Sequence, residues 1–218
     1  MQAAGRGEVG ALRLAYTLTT AYHTVPALLA RLGERHPQLK VEAREVFAED
    51  ILQLLRDERC DVALAPATSY PADVVCQQLI RLEPLQLAVG EGHPRSMDPA
   101  VALGSLRDEC FELWPREMAP GYYHAVVGAC RGAGFEPRLD EHGAGSTVWG
   151  YIAQRRGVGF VVRSLREQLP RGVRLLEITP PQPPPLSITA VWLKEDQAPA
   201  VDRFLDAAAE LAAEQAWA

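Results

Sequence analysis

The stretch ALRLAYTLTTAYHTVPALLARLGERHPQLKVEAREVFAEDILQLLRDERCDVALAP, residues 11–66, decides the fold. Ala11 to Thr17 alternates apolar and other side chains as a strand does, and Thr19 or Thr20 stands where it would cap the helix that follows. In that helix Val25, Leu28, Leu29 and Leu32 recur at helical spacing, and His36-Pro37 stops it because the residue before a proline disfavours the α region. Lys40 to Phe47 alternates again. Ile51, Leu54 and Leu55 form the next helical stripe, with Glu49 and Asp50 in a first turn whose dipole favours acid. Asp61 to Pro66 then reads as a short apolar strand. A βαβαβ run with short connections calls for a mostly parallel sheet with helices on its faces.

The pattern continues outward from there. Val75 to Leu79 and Leu85 to Val89 read as strands, and Gly90 to Pro94 is a turn-rich break where the chain leaves a first lobe. Beyond it Phe111 to Trp114 reads as a strand. Tyr123, Val126, Val127 and Cys130 mark a helix, and Gly132 to Pro137 closes it. A helix around Val148, Tyr151 and Ile152 leads into the β-branched run Val158 to Val162. Val173 to Ile178 and Leu186 to Leu193 are further strands, separated by the proline-rich linker PPQPPP at 180–185. Val201, Phe204, Leu205 and Ala208 place an apolar stripe on a C-terminal helix.

Composition bounds the function. The 218 residues allow one large domain or two lobes, and the 48% hydrophobic and 23% charged content is globular. No apolar run approaches the roughly 18 residues of a membrane span, and the start carries no secretory leader, so a cytoplasmic protein is expected. A net charge of −6, with 20 of 22 basic residues scattered arginines, is not the basic face of a nucleic-acid binder. Cys60, Cys76, Cys110 and Cys130 form no CxxC pair and have no histidines at zinc-ligand spacing, so reduced thiols are expected, with no metal and no cofactor. GxSxG, GxxxxGK[ST], GxGxxG after a strand and HExxH are all missing, which argues against an enzyme.

Residues 11–66, taken together with the second α/β stretch, resemble the regulatory, effector-binding domain of LysR-type bacterial transcription regulators. The likeness rests on Gly7 to Ala15 as glycine-ended linker and first strand, on His36-Pro37, on Asp61 opening the third strand and on His93-Pro94 after a crossover strand. LWPREMAPGYYHAVVGACRGAGFEP, residues 113–137, is similar to the aromatic-catabolism branch of that family, and Gly157-Val158-Gly159-Phe160 resembles its Gly-x-Gly turn. Cys60 stands where relatives usually have glycine, and Arg163-Ser164 where they usually have proline.

The resemblance spans about residues 7–212 and implies an α/β fold of two Rossmann-like lobes joined by two crossover strands, as in type 2 periplasmic binding proteins. Residues 1–10 would be a linker remnant, 11–89 with 194–218 the first lobe, and 90–193 the second. A small carboxylate or aromatic acid would be held between the lobes. The other expected partners are a second copy in a homodimer or homotetramer, with the helix Ile51 to Leu55 in its interface, DNA through an N-terminal winged helix-turn-helix, and RNA polymerase. A solute-binding protein serving a transporter is the alternative.

Helix starts at the carboxyl ends of parallel strands offer free amides to anions. Thr17, Thr19 and Thr20 stand at such a turn, and Thr19 falls where relatives place an effector-contacting hydroxyl, although a plain N-cap explains it too. Phe47, at the start of the second helix, is a further contact by resemblance, though Phe47-Ala48 lacks the hydroxyl that relatives often offer. In the second lobe Pro120, Gly121 and Tyr122 match a cleft-lining loop, where Tyr122 would stack on a ring or donate its hydroxyl, or else staple the loop. Ser146 and Thr147 open a later helix. Arg116 would pair with a carboxylate, or simply be solvated, and His142 reads as structural or exposed.

Overall fold

The computed structural model describes residues 10–142, 147–154, 156–195, 198–215 and 217. The chain divides into two compact units, one running to Leu82 and resuming at Ser187, the other spanning Glu83–Leu186. The linker remnant expected at 1–10 lies, apart from Gly10, outside the described residues.

The first unit holds β1 (Ala11–Tyr16), β2 (Lys40–Glu45), β3 (Val62–Pro66), most of β4 (Val75–Glu83) and nearly all of β11 (Leu186–Leu193), in a sheet ordered β2-β1-β3-β11-β4. β1 runs parallel to both β2 and β3, and β11 runs antiparallel to β3. Side chains alternate across a strand. Leu12, Leu14, Val62 and Leu64 therefore join one core with Val25, Leu28 and Leu32 of α2 (Thr24–Arg35) and Phe204 and Leu211 of α6 (Pro199–Gln215). Ala15, Ala63 and Ala65 face the other way, onto Ile51, Leu54 and Leu55 of α3 (Ile51–Arg56). Every residue of β3 is buried because both sheet faces are covered. The apolar residues of α3, expected in an interface between copies, are thus committed to the core of their own unit.

In the second unit β5 (Leu85–Gly90), β6 (Ala100–Val101), β9 (Gly159–Val162) and β10 (Val173–Ile178) form a sheet ordered β6-β10-β5-β9. A βαβ element adds β7 (Cys110–Leu113), α4 (Pro120–Gly132) and β8 (Arg138–Glu141), with β7 and β8 parallel. α5 (Thr147–Ala153) precedes β9. Phe111 stacks on Phe160 at 5.8 Å, and Trp114 meets Tyr122 and Trp149 edge-on. Gly157 and Gly159 let this segment lie against β7, since a Cβ at 157 would stand 2.4 Å from the Cys110 carbonyl oxygen and one at 159 would stand 3.2 Å from that of Glu112.

The unit boundaries fall earlier than the expected breaks after Val89 and Leu193. β5 pairs with β9 and β10 and so belongs to the second unit, whereas β11 pairs with β3 and belongs to the first. β6 and β8 carry no apolar alternation and were not expected as strands. Among the described residues no helix is long and apolar enough to cross a membrane.

Candidate functional site

Parallel pairing of β1 with β2 and β3 brings three carboxyl ends of the first unit's sheet to one level, with Tyr16 opposite Glu45 and Leu64. Thr17, one residue on, is held there by its amide donating to the Leu64 carbonyl (3.0 Å). The helix expected after β1 starts with a single turn, α1 (Leu18–Ala21), with Thr17 at its cap position and no side-chain cap bond. Thr19 and Thr20 are therefore inside α1, which corrects their reading as caps. The Thr20 hydroxyl donates back to the Thr17 carbonyl (2.8 Å) and is wholly buried, so it serves the turn.

The hydroxyls of Thr17 and Thr19 share a hydrogen bond of 2.9 Å. One can donate to the other, which leaves the pair with further acceptor and donor capacity. One turn supports little macrodipole, so an anion here would rely on these hydroxyls and on backbone amides. Phe47 follows β2 at the same edge, exposed ahead of the 3₁₀ turn Ala48–Asp50.

The loop leaving β3 carries Tyr70, which the sequence reading missed. Its phenol oxygen is buried without a hydrogen-bond partner, and burial pushes its pKa up to about 12. An aromatic directly after Ala67-Thr68-Ser69 was the available signal. A polar hollow lined by Arg13, Glu58, Asp61 and Glu195 lies at the opposite edge, the amino ends of β1 and β3, where Arg13 pairs with Asp61.

In the second unit the parallel pair β7 and β8 likewise points its carboxyl ends at the start of α4. Pro120 is the first residue of α4, where its missing amide costs nothing, and Gly121 is buried behind it. Tyr122 corrects the expectation. Its ring is 3% exposed and its hydroxyl donates to the Phe160 carbonyl (2.7 Å), so it ties α4 to β9 and presents nothing to a ligand. Arg116 is exposed, with its amide on Glu141 Oε2 at 3.2 Å. Thr147 begins α5 and is exposed, and Ser146 lies outside the described residues.

The same edge brings together Glu112, Asp140 and His142, of which the sequence reading singled out His142 alone. Glu112 is 1% exposed, and its Oε2 meets His142 Nε2. Burial pushes its carboxyl up, and the His142 contact pulls it down. The imidazole stacks on Tyr151 at 3.7 Å. The signal in the sequence was an acid inside the apolar run FELW, followed by an Asp-x-His pair. The four cysteines are free thiols, and burial raises Cys60 to about 11 and Cys130 to about 12, far from the activated thiolate a redox sensor needs.

Each of the two α/β units sets a helix start at the carboxyl end of a parallel strand, with the paired Thr17 and Thr19 hydroxyls in the first. The chain belongs to the LysR substrate binding domain family, whose pattern it matches over residues 5–213. It is 32% identical over 138 residues to the HTH-type transcriptional regulator ClcR of Pseudomonas putida, a match covering 63% of this chain and 47% of ClcR. This chain therefore spans about half the length of that relative. The structure superposes on the effector-binding domain of BenM with its effector benzoate with a TM-score of 0.80 at 19% identity, covering 96% of this chain and 95% of that one. The effector-binding domain of QuiR in complex with shikimate gives 0.82 at 19%, covering 95% and 99%. BenM is from Acinetobacter baylyi. The fold is the type 2 periplasmic-binding-protein-like α/β architecture of these domains.

Proposed function

We propose that this chain is the effector-sensing regulatory domain of a bacterial LysR-type transcription regulator, and that its effector is a small carboxylate or aromatic acid. The observation that carries the reading is the family match across nearly the whole chain. That two neighbours of the same fold hold benzoate and shikimate, both small ring carboxylates, supports the ligand class. The Thr17–Thr19 hydroxyl pair at the carboxyl edge of β1 supports the first-unit contact, and exposed Phe47, which follows β2 at that edge, would add an apolar one. Arg116, the start of α4 at Pro120 and Gly121, and Thr147 are the second unit's contributions to effector recognition.

Effector binding biases a conformational equilibrium that an attached DNA-binding domain reads out. The complete regulator works in the cytoplasm as a homodimer or homotetramer, binds DNA through a winged helix-turn-helix and engages RNA polymerase. The relatives are named transcriptional regulators, which favours this over delivery of a solute to a transporter and over catalysis.

Calorimetric titration with benzoate, shikimate and related acids tests the reading. Thr19→Ala should weaken the best acid about tenfold, the value of one hydrogen bond to a charged group. Tyr122→Phe should leave affinity unchanged while lowering stability by about 1 kcal/mol. Affinity indifferent to Thr19→Ala, or no acid bound at all, overturns the proposal.

A further inference from the structure

β7 and β8 pair in parallel with Glu112 opposite Asp140, and His142 lies two residues beyond Asp140, so all three belong to one side of the pleat. The His142 amide donates to the Leu113 carbonyl (2.9 Å), which carries the strand register on to that residue. As a result a carboxylate oxygen of Glu112, one of Asp140 and an imidazole nitrogen of His142 all lie within 4.8 Å of one another. Asp140 Oδ2 is 3.5 Å from His142 Nε2. Tetrahedral bonds of about 2.0–2.2 Å to nitrogen and oxygen place neighbouring ligands roughly 3.3–3.6 Å apart. The Asp140–His142 pair is at that spacing, whereas Glu112 Oε2 is in direct contact with His142 Nε2 and would draw back as an ion replaces the shared proton.

A second observation points the same way. The Glu112 side chain has no exposure, its Oε2 is turned to His142, and its Oε1 is buried with no hydrogen-bond partner. Only glycine at 157 leaves room for it, because a Cβ there would sit 2.7 Å from Oε1. A buried carboxylate persists where a cation compensates it. One proton on Nε2 serves one carboxylate, and at 3.5 Å Asp140 is beyond a good hydrogen bond. A divalent ion that takes the place of the proton between Glu112 and His142 would answer all three groups at once. Asp140 is half exposed, which gives the ion a path in and water for its remaining positions.

We propose that Glu112, Asp140 and His142 form a binding site for a borderline divalent transition ion, Zn²⁺ foremost, completed by water. The imidazole selects against Mg²⁺ and Ca²⁺, which take oxygen ligands. The inference is independent of the effector reading, since neither test bears on the other.

The test titrates the chelator-stripped 218-residue chain with Zn²⁺ and with Mg²⁺ by calorimetry, with thermal unfolding alongside. One Zn²⁺ per chain, a raised Tm and no response to Mg²⁺ are expected. Asp140→Asn, at a half-exposed position that tolerates the change, should weaken Zn²⁺ by about tenfold or more, because even outer-shell changes cost that much. His142→Gln should abolish binding, and Cys110→Ser should leave it unchanged. Failure to take up Zn²⁺, or uptake lost in Cys110→Ser and retained in Asp140→Asn, overturns the proposal.

Discussion

Tyr122 and Cys60 show how burial decides what a reactive-looking side chain does. Tyr122 has the chemistry of a ligand contact, yet its hydroxyl is engaged by the Phe160 carbonyl and its ring packs on Trp114. Cys60 and Cys130 have the chemistry of redox thiols, yet burial holds them near 11 and 12 against an ordinary value of 9.0. Both therefore stay protonated in the folded chain at pH 8, and they should react with thiol reagents about a hundredfold or more slower than an exposed cysteine, recovering full rate in denaturant. Above about pH 9 the unfolded chain loses these protons while the folded chain keeps them, so stability falls as pH rises, and urea midpoints measured from pH 8 to 10 should decline.

Strands and helices meet at positions where only glycine fits, and others where glycine is incidental. Gly90 ends β5 beneath the carbonyls that finish α5, and a Cβ there would lie 2.5 Å from the Ile152 oxygen and 3.2 Å from that of Ala153. Both neighbours are backbone and cannot swing aside. Gly90→Ala should therefore cost about 1–3 kcal/mol in urea unfolding. Gly128 lies in α4, and a Cβ added there would meet nothing within 4 Å, so Gly128→Ala should be stabilising by up to about 1 kcal/mol. The pairing of α2 and α6 has the same two-sided character. Arg31 bridges Glu210 and Glu214 at the rim, where exposed ion pairs contribute little, while Phe204 and Leu28 beneath supply the adhesion.

At the scale of the whole molecule charge sets the expectation. A net −6 gives no reason for attraction to a polyanion. Duplex DNA should bind this chain too weakly to measure at physiological salt, and an affinity that climbs steeply as salt is lowered would contradict the assignment of DNA contact to another domain. Each compact unit has its own buried aromatic and aliphatic core, Phe204 in one and Phe111 with Phe160 in the other.

Residues 11–66 by themselves determined the α/β class, since period-2 and helical spacing are local properties that a linear reading resolves. The His36-Pro37 stop and the stripe Val25, Leu28, Leu32 are where that reading placed them. Local periodicity also found β5 and β11 without revealing which sheet each joins, because pairing is a contact between distant segments. The same limit hid β8, a polar strand recognisable only beside β7. It concealed the spent hydroxyl of Tyr122, whose partner lies 38 residues away, and the meeting of Glu112 with His142 across 30. Alternation states which side chains share a face; only the folded chain decides what that face meets, because burial and hydrogen bonding depend on neighbours that sequence order does not supply.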